Sequence, residues 1–209
     1  MTGQVLTRVV RVDPTAPSPA TLAAAGAAIR AGKLVAFPTE SFYGLGVDAR
    51  SATAVDRVFS VKGRPESKPL LVLVDSVASA EALCRGVSDE ARELMARHWP
   101  GPLTLVLPAA LDLPEALTAG TGTIGIRVPG HPVALALVRA AGVPVTAPSA
   151  NPSGAPPPTT AAQVRDYFPE GVDIILDGGP TPGGVGSTIA DCTIWPPRIL
   201  RLGPIEVSG

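Results

Sequence analysis

Short apolar runs alternate with longer amphipathic segments along the chain, and this alternation predicts the secondary structure. The run LLVLV over 70–74 is continuously apolar, as is typical of a strand buried on both faces. We predict strands over 34–37, 70–74, 103–107, 123–128, 143–146, 173–177 and 198–202. We predict helices over 18–32, 52–62, 76–85, 88–98, 131–142 and 161–168. Because strands and helices alternate, an α/β fold is predicted.

Serine and proline at helix starts and glycine at helix ends predict the helix boundaries. Ser18 and Pro19 stand at the start of the first helix, and Gly32 can end it. Ser51 and Gly63 bracket the second helix in the same way. The later strands lack intervening helices, so we predict a mixed sheet. The sequence has no internal repeat and no clear linker, and we predict one domain over its whole length.

Composition excludes several classes of protein. The 209 residues are 45% hydrophobic and 17% charged, which is enough apolar material for a large core. The net charge of −1 excludes a globally basic nucleic-acid coat. Two distant cysteines, Cys84 and Cys192, give no disulfide framework, and no apolar stretch reaches the roughly 20 residues of a membrane span. We therefore expect a cytoplasmic protein that does not enter membranes.

The first chemically suggestive segment is KGRPESKP over 62–69. The whole chain has three lysines, and two of them, Lys62 and Lys68, flank Arg64. A helix dipole accounts for a cation at Lys62 but not for the other two. Three cations around two prolines make a stiff basic loop that suits a polyphosphate, although chance clustering is the alternative.

Three further loops carry hydroxyl groups or glycines. In PTESFYGLG (38–46), Thr39 and Ser41 offer hydroxyls beside glycines that allow close backbone approach. In APSANPSG (147–154), an extended chain would point Ser149 and Asn151 to the same side, where both could donate to phosphate. Composition alone favours an ordinary surface loop there. The stretch GGPTPGGVGST (178–188) is either a ligand-wrapping backbone or a flexible hairpin.

Known nucleotide-binding fingerprints fit poorly. GLGVDA over 44–49 matches a dinucleotide pattern, but six residues separate it from the preceding strand. The P-loop pattern GxxxxGK[ST] is missing from the sequence. A nucleotide, if it binds, is expected to bind through another architecture.

Taken together, the segments resemble the YrdC/Sua5 family of threonylcarbamoyl-AMP synthases. The resemblance extends over about 18–205, in the order PTESFYGLG, KGRPESKPLLVLV, PGPLTLVLP, IRVPGHPVA, APSANPSG with PTT, LDGGP, GST and ILRLGPI. It implies a single YrdC-like domain: a twisted mixed sheet flanked by helices, with a basic concave cavity. We expect the short form, without the appended C-terminal domain of longer members.

The resemblance also implies a reaction. L-Threonine, bicarbonate or CO2, and ATP would give threonylcarbamoyl-AMP and pyrophosphate, for N6-threonylcarbamoyladenosine at tRNA position 37. Mg²⁺ would accompany the ATP, and no metal site built from protein side chains is expected. The product would pass to a tRNA threonylcarbamoyl transferase complex, and a weak contact with tRNA itself is a further expectation.

Site residues follow from the motifs that match. The resemblance implies catalytic roles for Lys62 and Arg64. It implies ATP contacts from Arg64, Lys68, Thr104, Ser149, Asn151 and Arg201. It implies a threonine pocket formed by Thr39, Ser41, Ala147 and Ser187. The sequence departs from the family at Ser41, where threonine is usual, at Gly186, where a glutamate is frequent, and in RLG over 201–203, where RPG is usual.

Three alternatives remain open at this point. The same fold could be an RNA-binding module, although 4% aromatic residues leave little for base stacking. It could be a paralogue that forms another carbamoyl-adenylate. A serine hydrolase built from Ser149, His131 and an aspartate is disfavoured because the GxSxG motif is missing.

Overall fold

The computed structural model describes residues 7–63 and 68–207, and in these residues ten strands form two mixed sheets. The strands are β1 (Arg8–Arg11), β2 (Val35–Pro38), β3 (Tyr43–Gly46), β4 (Leu71–Leu73), β5 (Leu103–Pro108), β6 (Thr123–Arg127), β7 (Val145–Thr146), β8 (Ile174–Asp177), β9 (Thr188–Asp191) and β10 (Arg198–Arg201). The helices are α1 (Pro19–Arg30), α2 (Ala52–Lys62), α3 (Val77–Glu81), α4 (Asp89–His98), α5 (Glu115–Thr118), α6 (Pro132–Ala141) and α7 (Ala161–Tyr167).

Each sheet combines parallel and antiparallel pairs, as predicted. The four-stranded sheet has the order β1-β8-β2-β3, in which β2 and β3 form an antiparallel hairpin and the other pairs are parallel. The six-stranded sheet has the order β10-β9-β5-β6-β4-β7, with the pairs β9–β5 and β6–β4 parallel. The predicted α/β class is confirmed, and the strands are divided between two sheets.

The segment after β7 joins the two sheets. Ser149 forms a bridge with Gly44 of β3, while the Ala147 amide donates to the Leu71 carbonyl of β4 at 2.8 Å. Leu45 of β3 also donates its amide to the Pro148 carbonyl at 2.9 Å. The proline-rich chain therefore runs between an edge of one sheet and a strand of the other.

The core extends across both sheets. Its largest cluster contains Leu45 and Ile175 from the four-stranded sheet and Val72 and Ile126 from the six-stranded sheet, all fully buried. Burial of one such aliphatic side chain contributes about 1.5–3 kcal/mol. This shared cluster fixes the junction of the sheets, where the loops of interest meet.

Two contacts fix the helices that flank this junction. A Cβ at Gly26 of α1 would lie 2.6 Å from the Ala140 carbonyl of α6, so only glycine permits this close helix crossing. On α2, Arg57 Nη1 lies 2.8 Å from Oδ2 of buried Asp173. The same carboxylate oxygen accepts the Leu34 amide at 2.8 Å. The ion pair thus anchors α2, which ends at Lys62, to the start of β2.

Most elements agree with the prediction, and the differences have local causes. Ser51 accepts the Ala54 amide as a helix cap, whereas the predicted cap Ser18 makes no side-chain capping bond. Strand β3 was assigned to a loop because its glycines give no strand signal. A Cβ at Gly46 would meet the Phe37 ring at 2.7 Å, so packing requires the glycine. Strands β1 and β9 and the short helix α5 were not predicted, and α3 is shorter than the predicted 76–85.

In the described part of the chain, every helix is too short or too polar to cross a lipid bilayer.

Candidate active site

A cavity of about 370 Å³ lies at the junction of the two sheets. This volume falls within the range of small-molecule sites. Seven residues that the sequence predicted for a ligand site line it: Thr39, Ser41, Thr104, Ala147, Ser149, Ser187 and Arg201. Residues separated by up to 162 positions in the chain therefore meet in one place, as the family resemblance implies.

The rest of the lining is largely apolar. It includes Phe42, Leu71, Val106, Ile189 and the half-exposed Leu200. Apolar walls with a few convergent polar groups are typical of sites that bind a nucleotide base or a small metabolite.

A hydroxyl pair spans β5 and the residue before β9. Thr104 Oγ1 and Ser187 Oγ lie 2.8 Å apart, both buried. Arg201 Nη2 donates to Ser187 Oγ at 3.0 Å, and Arg201 Nε donates to the Ser187 carbonyl at 2.9 Å. Each hydroxyl carries one hydrogen, and one of the two hydrogens forms the bond between the hydroxyls. The second hydrogen cannot be donated to Arg201, because arginine has no acceptor. This second hydrogen is available to an acceptor in the cavity.

Gly186 explains why Arg201 can lie at the rim of the cavity. A Cβ at Gly186 would lie 2.8 Å from Arg201 Nη2 and 2.9 Å from Arg201 Cζ. The guanidinium therefore occupies the space that any side chain at 186 would enter. The absence of the frequent glutamate leaves no hole here, because the Arg201 side chain fills it. We call Gly186 and Arg201 the rim.

Arg127, for which sequence reasoning assigned no role, also lines the cavity. It ends β6, is 3% exposed, and lies 3.4 Å from Glu40 Oε2 through Nη1. Arg127 Nε and Glu40 Oε2 are buried and form no hydrogen bond with the described residues. Both residues stand inside quoted motifs, PTESFYGLG and IRVPGHPVA, and that was the only sequence signal for them. We call Glu40 and Arg127 the wall.

Burial and charge perturb both guanidiniums. Desolvation lowers the pKa of Arg127, and the Glu40 carboxylate partly opposes this effect. Desolvation also lowers the pKa of Arg201, and the positive charge of Arg127 lowers it further. The two cations repel each other, so an anion placed between them would stabilise both.

Lys62 is turned toward the protein backbone. It is 3% exposed, and its Nζ donates to the carbonyls of Ser149 and Asn151, the latter at 2.5 Å. The Ser153 amide donates back to the Lys62 carbonyl at 2.8 Å. Lys62 is not among the described residues that line the cavity. The ammonium group thus fixes the loop that presents Ser149 to the cavity.

Asn151 serves the same loop. Its Nδ2 donates both hydrogens, to the carbonyls of Pro152 at 2.9 Å and Ala155 at 2.7 Å. In this structure both hydrogens of the amide are donated to backbone carbonyls, and the predicted contact of Asn151 with ATP stays a prediction. Its buried Oδ1 has no hydrogen-bond partner in the described residues and remains able to accept.

Neither of the remaining predicted cations, Lys68 and Arg64, is among the described residues that line the cavity. Lys68 is exposed and does not line the cavity in the described structure, but the next residue, Pro69, does. Arg64 lies outside the described residues.

Two side chains are excluded as acid–base groups. Tyr43 lines the cavity, but its hydroxyl donates to the Gly179 carbonyl at 2.7 Å. Burial, with the nearby Asp177 charge, raises the pKa of Tyr43 to about 12, so the phenol stays neutral. His131 Nδ1 accepts the Val133 amide as the cap of α6, and within the described residues no hydrogen bond joins His131 to Ser149. This arrangement gives no support to a serine hydrolase.

These features define an α/β fold with a cavity at the junction of two mixed sheets that is lined by two arginines and several hydroxyl groups. The chain belongs to the Sua5/YciO/YrdC family, whose model, described as "Telomere recombination", matches residues 27–203. The resemblance predicted from the sequence motifs is confirmed.

Similar proteins carry a common name. The threonylcarbamoyl-AMP synthase of Pyrococcus abyssi is 47% identical over 180 residues, covering 86% of this chain and 53% of that protein. The threonylcarbamoyl-AMP synthase of Bacillus subtilis is 45% identical over 185 residues, covering 88% and 54%. The crystal structure of P. abyssi Sua5 complexed with L-threonine is 44% identical, with a TM-score of 0.88, covering 94% of this chain and 57% of that one. The chain thus spans about half the length of these relatives.

Proposed function

We propose that this domain is an L-threonylcarbamoyladenylate synthase, a nucleotidyltransferase that joins L-threonine, bicarbonate or CO2, and ATP. The observation that carries the proposal is the charge of the cavity. Two guanidiniums, Arg127 and Arg201, line it, and within the described residues Glu40 is the one carboxylate that forms an ion pair with either of them. A cavity with excess positive charge suits a reaction in which two anions must meet.

The wall is where we place the threonine subsite. Arg127 lines the cavity, and a guanidinium can bind a carboxylate through paired donors. Thr39, Ser41 and Ala147 lie in the same lining and would surround the amino-acid side chain. The P. abyssi relative that has been crystallised with L-threonine supports this choice of amino acid.

The rim is where we place the nucleotide subsite. Arg201, Thr104 and Ser149 would donate to phosphate oxygens, with Leu200 and Ile189 providing apolar surface for the nucleoside. Lys68 and Arg64 belong to the basic segment next to Pro69 and would contact the polyphosphate. Asn151 contributes through the loop that it shapes and through its free acceptor.

The hydroxyl pair would lie where the two substrates meet. Ser187 belongs to the predicted threonine pocket and Thr104 to the predicted ATP site, and the two oxygens are 2.8 Å apart. The threonine nitrogen forms a bond to CO2 and loses a proton to solvent, giving a carbamate. A carbamate oxygen then attacks the α-phosphorus, and the bond to the β-phosphate oxygen breaks as pyrophosphate leaves. The protein contributes by alignment and by donors to the developing charge.

Magnesium would enter with ATP. No group of three or more His, Cys, Asp or Glu in the described residues could hold a metal by itself, and the described cavity lining contains hydroxyls but no carboxylate. Phosphate oxygens and water would therefore hold the ion, with Ser149 or Thr104 as the available hydroxyls. When bound, magnesium neutralises charge on the pyrophosphate leaving group.

The product determines the downstream partner. Threonylcarbamoyl-AMP is a mixed anhydride that water hydrolyses, so we infer prompt transfer to a tRNA threonylcarbamoyl transferase that modifies position 37. A weak direct contact with tRNA remains part of the proposal.

Pyrophosphate release tests the proposal. The purified chain is incubated with ATP, Mg²⁺, L-threonine and bicarbonate, and each component is omitted in turn. We expect release that needs all of them, with threonylcarbamoyl-AMP identified by mass spectrometry. Equal release without threonine would contradict the assignment.

A further inference from the structure

Glu40 is in contact with two elements that the chain brings together at the cavity. One carboxylate oxygen, Oε1, accepts the Gly130 amide at 2.5 Å, and Oε2 lies 3.4 Å from Arg127 Nη1. Glu40 lies on the turn between β2 and β3, whereas Arg127 and Gly130 end β6 and lead into α6. The side chain therefore links the four-stranded sheet to the six-stranded sheet.

Arg127 depends on this carboxylate. A guanidinium that is 3% exposed has lost its hydration, and burial of an unpaired charge costs several kcal/mol. In the described residues, Glu40 is the only acidic group paired with it. The contact is loose, because at 3.4 Å it forms no hydrogen bond and leaves Arg127 Nε unpartnered. A loose partner stabilises the positive charge in place and holds Arg127, which also lines the cavity, without a tight hydrogen bond.

The turn that carries Glu40 also carries two predicted pocket residues. Thr39 Oγ1 donates to the Phe42 carbonyl at 2.7 Å, which closes the turn around Glu40 and Ser41. A displacement of Glu40 would therefore move the hydroxyl side of the threonine pocket and the cationic side together.

We propose that Glu40 is a positioning residue for the amino-acid substrate: it orients Arg127 and ties Thr39 and Ser41 to it, without touching the substrate. This inference rests on the proposed function. It assigns to the Glu40 side chain a selective effect on the amino-acid half of the reaction and none on the nucleotide half.

The substitution E40Q tests the inference with little change of shape. Glutamine keeps an oxygen that can accept the Gly130 amide but removes the charge that faces Arg127. We expect the threonine KM in pyrophosphate release to rise about tenfold or more, while the ATP KM stays within about twofold. E40D keeps the charge on a shorter side chain and is expected to raise the threonine KM by an intermediate factor.

A matched control is the ion pair between α3 and α4, neither member of which lines the described cavity. Glu81 pairs with Arg92 at 2.6 Å, and both side chains are partly exposed, at 37% and 49%. E81Q removes a Glu–Arg pair by the same chemical change and is expected to leave both KM values unchanged.

A double-mutant cycle shows whether Glu40 acts through Arg127. Lysine at 127 keeps a positive charge but lacks the planar fork that Glu40 orients. In an R127K background we expect E40Q to change the threonine KM by less than about twofold. The same tenfold change in that background would overturn the positioning role.

The outcomes separate the two proposals. If the wild type releases no threonine-dependent pyrophosphate, the proposed function fails. If the wild type is active but E40Q raises both KM values equally or neither, only the inference about Glu40 fails. Should E40Q not fold, E40D decides, and a wild-type threonine KM in that variant would overturn the inference.

Discussion

The wall and the rim hold similar guanidiniums in different ways. Arg127 of the wall is buried and lies beside a carboxylate, whereas Arg201 of the rim is exposed and donates to a hydroxyl and a carbonyl of Ser187. A buried cation needs a charged or polar partner from the protein, while a more exposed one keeps part of its hydration. Substitutions of buried cations should therefore affect stability and activity together, and substitutions at the rim should affect activity alone.

Lys62 is a third cation for this comparison, and its substitution should have the largest effect on stability and activity. It is a buried cation like Arg127, and its removal would leave two loop carbonyls without donors, at about 1–3 kcal/mol each. We expect K62M to lower the free energy of unfolding by roughly 2–4 kcal/mol and to abolish most pyrophosphate release. Urea unfolding and the activity assay measure the two effects, and K33M, at an exposed lysine, is the control. Unchanged stability in K62M would remove Lys62 from the class of buried cations.

Substitution of Arg127 in the wall should have the second largest effect on activity. R127M removes the guanidinium and leaves Glu40 as an unpaired, largely buried carboxylate. We expect kcat/KM for threonine to fall roughly hundredfold, because charged contacts worth about 3 kcal/mol are lost. R92M, at an exposed ion pair, is the control. If R127M instead raised only the ATP KM, the wall and the rim would have exchanged their proposed subsites.

The rim should respond with a smaller and more selective effect. In G186A the new methyl group would overlap the Arg201 guanidinium, which would have to leave Ser187 Oγ. We expect the ATP KM to rise about tenfold, as for the loss of one charged hydrogen bond of about 1.5 kcal/mol, with little change in thermal stability. G86A is the matched control, because a Cβ at Gly86 meets no atom within 4 Å. A large loss of stability in G186A would show that the exposed rim is as dependent on packing as the wall.

The smallest expected effect concerns pH. Burial lowers the pKa of His131 below its ordinary 6.5, and the Glu40 charge partly opposes this. Because the unfolded chain takes up the proton first, the neutral imidazole stabilises the fold above pH 6.5, and this contribution is lost as pH falls from 6.5 through the lower folded-state pKa. H131N keeps a capping acceptor that does not titrate, so its unfolding free energy should fall less than that of the wild type between pH 7.5 and 5.5. Parallel urea-unfolding curves for the two proteins across this range would contradict the prediction.

Local signals were sufficient where neighbouring residues decide the outcome. Ser88, with acidic residues after it, begins α4, and the continuous run around Val72 forms a buried strand. The motif order predicted the family and seven residues of the cavity lining. Local signals failed at β3, where Gly46 is required by the Phe37 ring, a contact that depends on how the hairpin closes.

The sequence by itself determined the fold class, the family and the kinds of group that the site would contain. The tertiary structure decided which of those groups face the cavity. Lys62 and the Asn151 amide turned to backbone carbonyls, because buried donors must be satisfied and the 149–155 loop supplies the acceptors. Glu40 and Arg127 became partners across 87 residues because two sheets share one core, and the resulting pairing of charges cannot be read from either motif alone.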